Sequence, residues 1–279
     1  MQRPSLQSYP DRPERQDRLI EAHLRRVETA VFKRHTAATM ASWVTQETQL
    51  GGLPYSFKHH EYQERILSDA SRDLVVRKCS QVGLSEASAR MALATVNILT
   101  PFTIAYTLPT AKFAGTFAKT RIDPIIAGSR VLQENIHRTN DNNEVKQFGE
   151  SFLYLRGAAS ANAPISIPCD ALLHDEVDFC DQEVLSQYQS RLTHSAWKRT
   201  FKFSTPTLPG YGVDLAFKES RRHFLMVKCH HCNHSFIPDY YEHVRIPGYL
   251  GELHEISKSS LTRLRWREAA LHCPACAGI

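Results

Sequence analysis

This chain has no long, uninterrupted apolar run. Its most apolar stretch, Ala87 to Leu108, contains Arg90, Asn97 and Pro101, and falls short of the span a bilayer requires, so no membrane crossing is expected. The N-terminus has no apolar h-region: Met1 to Arg18 is polar, carries both charge signs and is interrupted by proline. A secretory signal is thereby excluded and a cytoplasmic product expected. Nor is there a strong charge excess, with 34 Lys and Arg against 29 Asp and Glu, a net charge of +5. That balance permits a polyanionic partner without demonstrating one, because a local basic patch decides nucleic-acid affinity. An even disulfide framework is also missing. Of seven cysteines, four fall in two Cys-x-x-Cys pairs near the end, which in a reducing compartment favours metal over disulfides. Cys79, Cys169 and Cys180 are left over and read as small buried hydrophobes.

What the chain does have is the material for a core. With 279 residues, 42% hydrophobic residues, 13 Phe, 10 Tyr and 3 Trp, it suits one large or two modest domains at roughly 100–200 residues each. Wholesale disorder is excluded. Pro4, Pro10 and Pro13 make the first 16 residues a loose arm, and from about Asp17 to Gln46 apolar residues recur at helical spacing among Arg18, Arg25, Arg26, Lys33 and Arg34. Gly51-Gly52-Leu53-Pro54 ends that pattern. Residues 1–50 are therefore expected to form an arm and a basic amphipathic helical segment, 51–225 the main domain, and 226–279 a cysteine-bearing module.

Within the main domain, apolar bursts alternate with helical stretches. Leu74 to Val76, Phe102 to Leu108, Phe152 to Leu155, Ala171 to Leu173 and Phe201 to Phe203 read as strands; Glu86 to Leu99, Lys112 to Ile126 and Val184 to Leu192 read as helices. This rhythm predicts an α/β fold with a mostly parallel sheet flanked by helices. Ligands in such sheets bind beyond the carboxyl ends of strands. Three motifs lie there.

The first is Arg77-Lys78-Cys79-Ser80-Gln81-Val82-Gly83-Leu84-Ser85-Glu86, between a strand and a helix, the context in which backbone N–H groups cradle phosphate. In the G-x-x-x-x-G-K-[ST] register, Gly83 and Ser85 are in place, Lys78 occupies the first glycine position and Leu84 the lysine position. A lysine at the start of the loop can still serve the β and γ phosphates; a plain strand-to-helix turn with Lys78 solvated remains the alternative. The second motif ends the strand Ala171-Leu172-Leu173 with Asp175 and Glu176. In a nucleotide hydrolase Asp175 would hold Mg²⁺ and Glu176 would polarise the attacking water. The third is Ser204-Thr205-Pro206-Thr207, with an earlier strand ending similarly in Thr107-Leu108-Pro109-Thr110. Small hydroxyl residues at such ends can touch a γ-phosphate or a DNA backbone, although each alone is a Thr-Pro turn.

Cys229-His230-His231-Cys232 and Cys273-Pro274-Ala275-Cys276 are two knuckles whose spacing lets each thiolate pair grip one ion. Together they predict a closed, structural zinc site with four cysteine ligands, and an inserted loop or hairpin over Asp239 to Trp266 between the knuckles. His231 or His234 in place of one cysteine is left open.

Motif by motif, in order and spacing, residues Tyr55 to Cys276 resemble the large terminase subunit of tailed phages, lambda-type. His60-Glu61-Tyr62-Gln63 resembles the family's adenine-side element, and Lys78 to Ser85 its variant Walker A loop with the lysine displaced to the start. Thr107-Leu108-Pro109-Thr110 followed by Ala114, Phe117 and Pro124 resembles its next element, Asp175-Glu176 its Walker B, and Ser204-Thr205-Pro206 its coupling motif. The resemblance implies an ATPase of the additional-strand P-loop class that pumps double-stranded viral DNA through the capsid portal into a preformed shell. It implies ATP, Mg²⁺ and Zn²⁺ as cofactors, with Tyr62 or Gln63 at the adenine, and ATP against Lys78, Cys79, Ser80, Gln81, Val82, Gly83, Leu84 and Ser85. The implied partners are the small terminase subunit, at the segment from Arg18 to Arg34, the portal, and further copies in a ring. The setting is the host cytoplasm, with transient docking on the procapsid. The family's nuclease domain does not fit before Ile279, so DNA cutting is not expected from this chain alone. A helicase-like remodelling ATPase and a non-hydrolysing zinc-containing DNA-binding or assembly module are the alternatives.

Overall fold

The computed structural model describes residues 20, 21, 23, 24, 39–160, 162–164 and 167–279. Most of the basic segment from Arg18 to Arg34 thus lies outside the described residues. The chain divides into two compact units, Met1–Ser220 and Arg221–Ile279. Among the described residues no helix is long and apolar enough to cross a membrane.

In the first unit residues 20, 21, 23 and 24 are helical, and helix α1 (39–47) is followed by a small hairpin, β1 (Gln49–Leu50) and β2 (Leu53–Pro54), turned by Gly51 and Gly52 at positive φ. There follow α2 (Glu61–Leu67), β3 (Asp73–Arg77), α3 (Leu84–Ile98), β4 (Thr103–Leu108) and α4 (Ala111–Phe117). A π-helical turn (Ala118–Ile122) leads into α5 (Asp123–Ala127) and α6 (Arg130–Asn135). β5 (Ile136–Asp141), β6 (Val145–Phe148), β7 (Ser151–Gly157), β8 (Ala171–Asp175), α7 (Gln182–Gln189), β9 (Arg199–Ser204) and α8 (Gly212–Lys218) complete it. The seven long strands form one sheet in the order β3-β9-β8-β4-β7-β6-β5. The first five are parallel, and β6 and β5 are antiparallel additions at one edge.

The parallel strands are covered on both faces, which is why they read as apolar runs. Successive side chains point to opposite faces: Ile104, Tyr106, Leu108 and Leu173 join the core with α3 and α4, whereas Ala105 and Leu172 join the one with α7. The helix expected over Lys112 to Ile126 is present as α4, the π-turn and α5. The helix before the expected boundary at residue 51 packs with the main core. Met40, Ala41 and Val44 of α1 are buried in the main core, and buried Arg90 donates to Thr48 Oγ1 (3.1 Å) and the Gln49 carbonyl (2.7 Å). Residues 40–49 thus give the main core an apolar helical face and give the buried guanidinium its partners.

At the end of β7 the backbone of the Thr110-Ala111 turn passes so close to Gly157 that an added Cβ would lie 2.2 Å from the Ala111 nitrogen. Gly157→Ala is therefore expected to destabilise the first unit by about 1–3 kcal/mol, read as a lowered melting temperature.

The second unit consists of β10 (Val227–Lys228) paired with β11 (Ser235–Phe236), α9 (Tyr240–His243), β12 (Val244–Arg245), α10 (Lys258–Leu261), and β13 (Ala270–Leu271) paired with β12. Its buried apolar cluster is small: Cys229, Phe236 and Cys273, with Leu271 against them.

Candidate active site and metal centre

Three parallel strand ends meet at the site. β3 runs into the loop starting at Lys78, β8 ends in Asp175 and Glu176, and β9, which lies between them, ends in Ser204. The intervening strand brings residues about a hundred positions apart into contact. Lys78 Nζ pairs with Glu176 Oε1 at 2.9 Å. Ser204 Oγ donates to Glu176 Oε2 at 3.3 Å, and the Lys78 amide donates to the Ser204 carbonyl at 3.0 Å. All three motifs thus converge on one carboxylate. Glu176 takes a left-handed backbone, φ 54°, a conformation uncommon for non-glycine residues.

The loop is held from outside. Gly83 sits at φ 68° as the N-cap of α3, where an added Cβ would meet Gln63 Nε2 at 2.8 Å. No side chain caps α3, so its first-turn N–H groups lack an intrahelical partner and suit an anion. Gln63 Nε2 and Tyr62 Oη both donate to the Val82 carbonyl, at 2.6 and 2.7 Å, and Gln63 Oε1 accepts from Tyr55 Oη at 2.9 Å. Tyr62 and Gln63 thus brace the Val82 end of the loop. Cys79 is exposed, correcting its expected burial, because the loop leaves the sheet there; Cys169 and Cys180 are buried as expected.

Asp175 is almost wholly buried, and desolvation pushes its carboxyl up to about 6, with the neighbouring Ser85 hydroxyl acting in the opposite direction. Tyr106 Oη donates to its Oδ2 at 3.0 Å, while Oδ1 is buried without a hydrogen-bond partner. Sequence reasoning passed over Tyr106 and Asp178. The Asp178 carboxylate accepts from the Thr207 amide (2.7 Å), the Thr207 hydroxyl (2.9 Å) and the Val213 amide (2.7 Å). It thereby pins the segment after Ser204-Thr205-Pro206 beneath the acidic strand end. Its place two residues past Glu176 was the available signal.

Other strand-end hydroxyls turn away. Thr107 Oγ1 is buried against His174 Nδ1 at 2.6 Å, on the sheet face opposite Tyr106, and Thr110 caps α4 by accepting from the Phe113 amide. Desolvation lowers the His174 imidazole to about 3, so it is neutral at physiological pH. Both side chains make contacts within the domain, as the plain Thr-Pro turn reading allows.

In the second unit the Sγ atoms of Cys229, Cys232, Cys273 and Cys276 all lie within 4.8 Å of one another. Cys229 and Cys276 are 3.7 Å apart, Cys232 and Cys273 3.6 Å. Backbone N–H groups of Cys232 and His231 pull the Cys229 thiol down to about 6. His234 instead stacks on Phe236. Of the basic residues near the knuckles, Arg265 pairs with Glu268 and Arg267 lies over Trp266.

A mostly parallel sheet, a strand-to-helix loop with a basic residue, and an acidic pair one strand removed define the P-loop nucleotide-hydrolase fold. The model of the phage terminase large subunit gpA ATPase-domain family matches residues 49–279, and the chain belongs to that family. The large terminase of bacteriophage HK97 shares the fold, with a TM-score of 0.56 at 11% identity over 64% of this chain and 39% of that one. This chain thus spans about two fifths of the HK97 protein's length. The large terminase ATPase domain of Thermus phage P74-26 is 16% identical, with a TM-score of 0.43, over 52% of this chain and 64% of its own. A large terminase from a thermophilic bacteriophage, solved in complex with ADP, is 12% identical, with a TM-score of 0.39, over 53% of this chain and 36% of its own. No curated protein sequence matches the chain.

Proposed function

We propose that the first unit binds and hydrolyses ATP, and that this hydrolysis drives double-stranded DNA through a portal into a preformed phage capsid. The carrying observation is the junction of Lys78, Glu176 and Ser204 on one carboxylate. Lys78 neutralises phosphate charge. Its present partner is Glu176, so an arriving phosphate competes for the ammonium and frees Oε1 to orient water, while Ser204 retains Oε2. Ser204, Thr205 and Pro206 then couple product state to movement, through Asp178 and the segment it pins. Tyr62 and Gln63 act on ATP by fixing the Val82 end of the loop formed by Lys78, Cys79, Ser80, Gln81, Val82, Gly83, Leu84 and Ser85.

Mg²⁺ fits the oxygen donors here: Asp175 offers a buried, unpartnered Oδ1, and Ser85 stands beside it. When bound with the nucleotide, the ion supplies charge neutralisation on the phosphates. Zn²⁺ fits the second unit, since Zn–S bonds of about 2.3 Å set tetrahedral S···S edges of about 3.8 Å, close to the 3.6 and 3.7 Å separations. Cys229, Cys232, Cys273 and Cys276 would hold it as a closed structural site. The division into an ATPase unit and a zinc-binding unit, the small terminase subunit, the portal, the homo-oligomeric ring, and the host cytoplasm with docking on the procapsid complete the proposal.

Lys78→Ala tests it. The variant is expected to lose at least about tenfold in ATP affinity, since one charge-assisted contact is worth about 1.5–3 kcal/mol, and to lose turnover with it. Unchanged affinity for a fluorescent ATP analogue would turn the reading toward a non-hydrolysing DNA-binding or assembly module.

A further inference from the structure

We infer that Tyr106 is a positioning residue for the metal-binding carboxylate, aiming Asp175 Oδ1 at Mg²⁺; this rests on the ATPase reading above. Tyr106 lies in the middle of β4, fully buried, in a run that otherwise serves the core. Its cross-strand partner on β8 is Leu173. Asp175 is two residues further along the same sheet face, the diagonal distance that an aromatic side chain can bridge. The ring stacks on Phe117 at 4.9 Å, which accounts for a phenylalanine but not for a hydroxyl. A buried phenol is costly unless it is partnered, and here it is partnered on both sides. Ser88, one turn after Ser85 on α3, lies 2.9 Å from Tyr106 Oη, and Asp175 Oδ2 lies 3.0 Å away. An ionised carboxylate only accepts, so the phenol proton goes to Oδ2. Oδ1 is left as the one oxygen free for an ion. The phenol therefore links the helix following the phosphate loop to the acidic strand end and fixes which carboxylate oxygen faces the cofactor, the service outer partners give metal ligands.

The test titrates Mg²⁺ into the full chain with a fluorescent ATP analogue and compares each result with analogue binding in EDTA. Tyr106→Phe keeps the ring and its stacking. It is expected to raise the half-saturating Mg²⁺ concentration about 10–100-fold while metal-free nucleotide binding stays within about twofold. Ser88→Ala leaves the phenol–carboxylate bond intact and is expected to shift Mg²⁺ by less than about threefold. Three results would overturn the inference: an unmoved Mg²⁺ midpoint in Tyr106→Phe, an equal loss of metal-free binding in that variant, or an equal shift in Ser88→Ala. Asp175→Asn separates the two levels. If it raises the Mg²⁺ midpoint while Tyr106→Phe does not, only the positioning role fails; if it has no effect, the nucleotide-site reading fails as well.

Discussion

Glu176→Gln is expected to lower ATP turnover by about 10²–10⁴-fold, the contribution usual for a positioned general base, with nucleotide affinity retained. The geometry explains why the loss should be confined to chemistry. Glutamine preserves the side-chain length, its amide oxygen can accept from Lys78 and its NH₂ can meet Ser204 Oγ, so the contacts at 2.9 and 3.3 Å survive. The left-handed backbone at this position is no harder for glutamine than for glutamate. What disappears is the negative charge that makes Oε1 a base once Lys78 has turned to phosphate. Steady-state hydrolysis with and without double-stranded DNA, beside equilibrium binding of an ATP analogue, checks both halves. Turnover equal to that of the parent chain would remove Glu176 from the water. Weakened binding in the same proportion would make its role structural.

The parts of the candidate site legible in the sequence were those at or just after strand ends. Lys78, Ser85, Asp175, Glu176 and Ser204 follow apolar bursts, and a parallel sheet brings such ends together whatever their separation in the chain. Their meeting was a consequence of strand order: β9 between β3 and β8 puts Ser204 between the other two motifs. Tyr106 was hidden because, inside an apolar strand, a tyrosine with a functional hydroxyl and one filling the core give the same pattern. Thr107 is open, in the sequence, between a ligand contact and a plain turn for a related reason; the two-residue period of the strand sends it to the face opposite Tyr106, onto His174. The β5–β6 hairpin escaped because β5 is exposed along nearly its whole length, leaving no apolar alternation to find. The packing of residues 40–49 with the main core escaped because Gly51-Gly52 reads as a break, whereas it turns a hairpin whose flanks Arg90 and Tyr55 tie to the core.

Chelation of zinc is expected to unfold the second unit while the first keeps its fold and its nucleotide. The second unit has a buried apolar cluster of Cys229, Phe236 and Cys273 with Leu271, and strands of two residues each. So little buried surface cannot offset the conformational entropy of some sixty residues without a further tie. Two of its three buried core members are themselves knuckle thiols, so loss of the ion would remove the strongest tie within that core. Structural zinc contributes about 10–16 kcal/mol in small domains at pH 7, enough to decide whether such a unit folds. The first unit has its own large core between sheet and helices and does not depend on the ion. Hydrogen exchange before and after chelation should show protection collapsing over Arg221–Ile279 with that of β3, β4, β8 and β9 unchanged, at a released stoichiometry of one zinc per chain. Cys232→Ser should reproduce the effect without chelator. Protection of the second unit that survives chelation would mean that the four thiols, though gathered, are not what holds it.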